Sequence, residues 1–160
     1  MPDFAFASFL TPESAIFPST DFPQLKKNVG TSQLDYTLDC DTTTQESASW
    51  RIIMPSIALW SGATIRIFSR QAVVVVGTVG WLVTTLTRGD GQAFDTVGVT
   101  DTVTAATVKG TAGQVLMQSK ALTITGWTIN SVLLIKIARD VASDTVAEDT
   151  KFISAAIELT

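Results

Sequence analysis

The chain has 160 residues, enough for one domain, and carries 11 basic and 15 acidic side chains for a net charge of −4. That balance argues against nucleic-acid binding, which needs a basic surface to neutralise phosphates; the largest basic cluster is Lys26-Lys27. The absence of histidine excludes Ser-His-Asp and Cys-His catalysis and removes the commonest metal ligand, and a lone cysteine, Cys40, excludes an intrachain disulfide.

β-Branched residues dominate: 24 Thr, 15 Val and 12 Ile make up about a third of the chain. Such side chains pack well on pleated surfaces and lose rotamer freedom in helices, so an all-β domain is expected. No signal peptide is expected, because Met1-Pro-Asp-Phe lacks a positive leading region. The longest apolar run, Ala72 to Leu86, is broken by Gly77, Gly80 and three threonines. It falls short of the roughly 20 residues of a membrane-spanning helix and reads as a hairpin, so no membrane partner is expected.

Residues 1–32 stand apart. They hold four of the five prolines (Pro2, Pro12, Pro18, Pro23) and five of the eight phenylalanines (Phe4, Phe6, Phe9, Phe17, Phe22). The prolines oppose long helices and central strands, yet the segment is too aromatic for a solvated tail. It reads as an extended N-terminal arm with five Phe anchors, either folded back on its own domain or docked on a partner.

Residues 33–160 read as strands and turns. Leu34, Tyr36, Leu38 and Cys40 alternate with Asp35, Thr37 and Asp39, the pattern of a half-buried strand. Asp41 to Glu46 is a polar turn. Further strands are expected at Ser49–Met54, with Trp50, Ile52 and Met54 on one face, then at Ala63–Ser69, Val73–Val76 and Val79–Thr87. After the Gly89-Asp90-Gly91 turn come Val97–Thr104, Val115–Ser119, Ala121–Thr125, Val132–Ala138 and Phe152–Leu159. Nine or ten short strands without crossover helices predict an antiparallel β-sandwich of jelly-roll type.

Residues able to carry chemistry are few. Cys40 continues an apolar face and reads as a buried small hydrophobe. Asp140, Asp144, Glu148 and Asp149 cluster between the last two strands. Three readings stay open for them: turn and ion-pair chemistry with Arg139, a calcium loop lacking EF-hand spacing, and a glycosidase carboxylate pair. Turn chemistry is favoured, with Thr145 and Glu148 as a capping box for a short helical turn. No catalytic, cofactor-binding or metal-ligating set is assigned. Trp50 and Trp81 lie within strands and are expected in the core. Trp60 and Trp127 lie near turns and are the candidates for exposed aromatic contacts.

Several segments together resemble small virion proteins of tailed bacteriophages. They are Leu34 to Asp41 with the Thr-rich turn after it, Glu46 to Pro55, Gly80-Trp-Leu-Val83, and the closing pair Leu133–Asp140 and Phe152–Leu159 with Asp140 and Asp149 flanking the turn. The resemblance spans Leu34 to Leu159 and omits the arm. It implies a non-enzymatic head decoration or cement protein, made in the host cytoplasm and carried on the capsid surface. Its expected partners are further copies in a homotrimer and the major capsid protein or another virion protein. The alternative it implies is a tail fibre or tail-attached module that binds host glycans.

Overall fold

A computed structural model describes residues 6–29, 34–55 and 60–160. Among the described residues, ten strands form two antiparallel sheets: β1 (Phe6–Leu10), β2 (Gln24–Val29), β3 (Leu34–Cys40), β4 (Ser47–Ile53), β5 (Ala63–Gln71), β6 (Thr78–Arg88), β7 (Val99–Thr107), β8 (Val115–Ala121), β9 (Val132–Arg139) and β10 (Thr150–Leu159). The larger sheet runs β2-β3-β10-β5-β8, with β1 joining β10 beyond the end of β3. The smaller runs β4-β9-β6-β7. From β3 onward every connection except β6 to β7 changes sheet, the connectivity of a jelly-roll sandwich. Among the described residues, no helix is long and apolar enough to cross a membrane.

The core follows from strand alternation. Ile65, Ile67, Phe152, Ile157 and Leu159 point inward from one sheet and meet Trp50, Ile52, Trp81, Val83 and Ile135 from the other. Trp50 and Trp81 are therefore core residues, and both lean on Phe152, with ring centroids 5.5 and 5.9 Å away. The Trp81 indole is satisfied by Gln118 Oε1 at 3.1 Å, while Gln118 Nε2 donates to the carbonyls of Val79 and Thr104. Buried polar groups persist when paired in this way.

The expected arm is part of the sandwich over residues 6–29, and the expected boundary at 32/33 lies outside the described residues. β1 pairs with β10 from Phe6↔Leu159 to Leu10↔Ala155, and β2 pairs with β3. Leu10 is fully buried. Ile16 bridges Ser49, and the Trp50 indole donates to the Thr11 carbonyl at 2.9 Å. The prolines permit this because Pro12 starts a single 3-10 turn, and Pro18 and Pro23 also lie outside the strands.

Two further expectations are corrected. Val73–Val76 forms no strand: it crosses from β5 in one sheet to β6 in the other, and Val73, Val74 and Val76 are exposed. Ala72 to Leu86 is accordingly not a hairpin. The strand expected at Ala121–Thr125 is also absent, because β8 ends at Ala121 and Thr123 turns to bond Asp101 through its amide and hydroxyl.

Candidate functional site: a groove across the smaller sheet

The outer face of the four-stranded sheet is built by register. Ser49, Lys136, Thr84 and Thr100 lie side by side across β4, β9, β6 and β7. The Thr84 and Thr100 hydroxyls share a 2.8 Å hydrogen bond. The neighbouring row holds Arg51, Leu134 and Leu86. With a period of two, these side chains point away from the core that Trp50, Ile135 and Val83 fill.

The β6–β7 loop overhangs this floor. Gly91, at φ +73°, makes the turn, and Arg88 Nε donates to the Ala93 carbonyl at 2.5 Å. Gly98 lets the returning chain lie against β6, since a Cβ there would stand 2.5 Å from the Thr85 carbonyl oxygen. The clamp sets Phe94 over the sheet with 54% of its surface exposed. Phe94 borders two adjoining open clefts of about 470 and 340 Å³, which share Ser49, Leu134 and Lys136 as well. Ile16, Phe17 and Pro18 form the far wall beyond β4. The clefts read as one groove with an aromatic ring at its middle, hydroxyls and aliphatic groups along its floor, and two cations, Arg51 and Lys136. No carboxylate is found among the described residues lining it, so it presents no acid–base pair for hydrolysis.

The residues singled out from sequence lie elsewhere or at its margin. Phe4 lies outside the described residues, and Phe6 begins β1. Phe9 is 74% exposed on β1, at the opposite sheet. Phe17 is half-buried, lines the groove and sits 5.8 Å from the ring of Phe22, which stays partly exposed. Trp60 and Trp127 are half-buried against the core rather than free platforms; Trp127 borders a small separate cleft with Arg88 and Gly126. Phe94, Arg51 and Lys136 carry no local signal.

The acidic closing turn is structural. Arg139 is fully buried; its Nε donates to Asp144 at 2.6 Å, and its remaining nitrogens reach the carbonyls of Cys40, Val146 and Glu148. Asp140 accepts from Ser143 Oγ at 2.6 Å. The helical turn expected from Thr145 does not form: Thr145 Oγ1 instead accepts from the Thr78 amide and ties the turn to β6. Among the described residues, no group of three or more His, Cys, Asp or Glu is placed to hold a metal. Cys40 is buried, and loss of hydration pushes its thiol well above the ordinary range.

No family model matches the chain, and no curated protein matches it. Solved structures match its fold. A family 35 carbohydrate-binding module from Cellvibrio japonicus Abf62 is 12% identical, with a TM-score of 0.58 over 95% of this chain and 92% of that one. A family 35 carbohydrate-binding module from Clostridium thermocellum is 8% identical, with a TM-score of 0.56 over 96% and 98%. The CBM22-1–GH10 modules of the C. thermocellum endo-1,4-β-D-xylanase 10B, complexed with xylohexaose, are 11% identical, with a TM-score of 0.58 over 99% of this chain and 29% of that one. The chain thus has the jelly-roll sandwich fold of carbohydrate-binding modules. Identities this low define a shared fold and carry no ligand with them.

Proposed function

We propose that the protein is a non-enzymatic module that binds glycans in the groove across its four-stranded sheet. The observation that carries this reading is Phe94, half exposed above a floor of hydroxyl, aliphatic and cationic side chains. A sugar ring has an apolar face suited to an aromatic ring and a rim of hydroxyls suited to Ser49, Thr84 and Thr100. Ligand sites commonly combine an apolar wall with a few fixed polar groups. The match in fold to carbohydrate-binding modules supports the same reading. In the setting implied by the resemblance to phage virion proteins, the module would sit on the tail and hold the particle to host surface glycans. The test is a glycan array of neutral and acidic saccharides, probed with wild-type protein and Phe94→Ala. Binding lost in the variant is the expected result; no binding anywhere on the array rejects the reading.

A second reading is head decoration as a homotrimer on the major capsid protein. It is supported by exposed apolar side chains on the other sheet's margin: Phe9, Leu25, Val29 and Leu34. Burying such groups between subunits contributes roughly 1.5–3 kcal/mol each when complete. Labelled antibody on intact particles separates the two, over the head for decoration and at the tail for glycan recognition. Light scattering of the purified protein tests the trimer.

A further inference from the structure

Resting on the glycan-binding reading, we infer that the groove selects acidic saccharides, with the sugar ring against Phe94 and its anionic substituent held between Arg51 and Lys136. Arg51 lies diagonal to Lys136 across the β4–β9 pair, because Ser49 faces Lys136 and Arg51 faces Leu134. Diagonal neighbours stand about 7–8 Å apart, close enough for two long side chains to converge on one oxyanion. Both are exposed, and neither makes an ion pair among the described residues.

The pair is conspicuous in its surroundings. The chain carries a net charge of −4, and five cations elsewhere are paired with acids. Lys26 and Lys151 share Asp39, Arg70 holds Asp35, and Arg66 holds Glu158. The described groove lining combines two cations with no carboxylate. Two like charges side by side repel each other, and an anion bound between them relieves that repulsion. The Arg51 guanidinium offers the planar fork that takes two oxygens of a carboxylate or sulfate, and the Lys136 ammonium adds a point charge. The net negative charge of the whole protein disfavours indiscriminate adsorption to polyanions, so acid preference requires a local reader.

The test uses matched pairs: polygalacturonate against its carboxyl-reduced neutral form, and dextran sulfate against dextran, measured by affinity electrophoresis or calorimetry. At least one acidic member should bind about tenfold or more tightly than its neutral match. Arg51→Gln and Lys136→Gln should each erode that preference about tenfold with an unchanged melting temperature, and the preference should weaken as salt rises. Binding to polygalacturonate alone assigns a carboxylate reader; binding to both acidic polymers assigns a general oxyanion reader. Equal binding to acidic and neutral members, or a preference that survives in the double variant, overturns the inference while leaving the glycan-binding reading standing. A glycan array without a single bound saccharide overturns both.

Discussion

The two outer faces of the sandwich use the same residue types to opposite ends. On the six-stranded sheet, cations are locked to acids: Asp39 lies between Lys26 and Lys151 at 2.9 and 2.7 Å, Asp35 holds Arg70 at 2.9 Å, and Glu158 holds Arg66. On the four-stranded sheet, Arg51 and Lys136 stand beside a groove with no carboxylate in its described lining. A face whose charges are internally satisfied gains stability and offers little to a ligand. A face with unsatisfied cations beside an exposed ring forgoes that stabilisation and keeps its donors available. Substitutions on the first face should therefore change stability, and substitutions on the second should change binding.

The largest effect lies on neither face and gives the scale. Asp144→Asn leaves the fully buried Arg139 guanidinium without its counter-charge. Breaking a buried pair from one side costs about 3–5 kcal/mol, read as a lowered urea midpoint at unchanged slope. A loss under 1 kcal/mol would mean that the carbonyls of Cys40, Val146 and Glu148 suffice to hold the cation.

On the paired face, Asp39→Asn should cost about 1.5–3 kcal/mol at pH 7, since the hydrogen bonds it weakens involve charged groups. Burial alone would push the Asp39 carboxyl up, but bonds from Lys151, Lys26 and Thr37 outweigh it and hold the group below its ordinary value. A carboxylate lowered in the fold stabilises above its unfolded pKa, and that contribution fades as pH falls through the folded one. The gap between wild type and Asp39→Asn should thus be full at pH 7 and close on acidification below about pH 4. Glu46 runs the other way: burial raises its carboxyl, with Asp41, Asp149 and Asp21 adding to the rise. Thermal melts of both proteins across that range check the sign. Glycan binding at pH 7 should not differ between them.

On the groove face, Phe94→Ala should abolish most binding and shift stability by no more than about 0.5 kcal/mol, the usual range for surface positions away from packed features. Phe94 stands on a loop, half exposed, with the core complete beneath it. A large loss of stability in this variant would show that the ring caps the sheet instead of meeting a ligand.

The scaffold is more legible in the sequence than the groove, for a physical reason. Alternation is local: Leu34 to Cys40 announces β3 within seven residues, and Ala63 to Gln71 does the same for β5. Short-range rules failed where a tertiary constraint overrode them. Val73–Val76 has strong strand propensity but spans the gap between sheets, and β1 and β2 were hidden by the prolines between them. The groove has no local signature at all. Ser49, Thr84, Thr100 and Lys136 become neighbours only through the order β4-β9-β6-β7, which a single sequence does not reveal. Trp60 and Trp127 are large aromatics near turns in the sequence, but the fold uses their rings partly as core.

The smallest effect is the sharpest check on the contrast. Arg66 and Glu158 pair diagonally across β5 and β10 on the paired sheet, but the arginine side chain is 40% exposed. Solvent-screened pairs contribute about 0.2–1 kcal/mol, so Glu158→Gln should lower stability by no more than that, with the deficit shrinking in high salt. The substitution also frees a cation beside Ala156 and exposed Phe9, which pair across β10 and β1. If unpaired charge next to an exposed ring were sufficient for acidic glycan capture, Glu158→Gln would create a second weak site. With groove geometry as the capturing element, binding stoichiometry should remain unchanged. A rise in stoichiometry would mean that charge, rather than groove geometry, governs recognition.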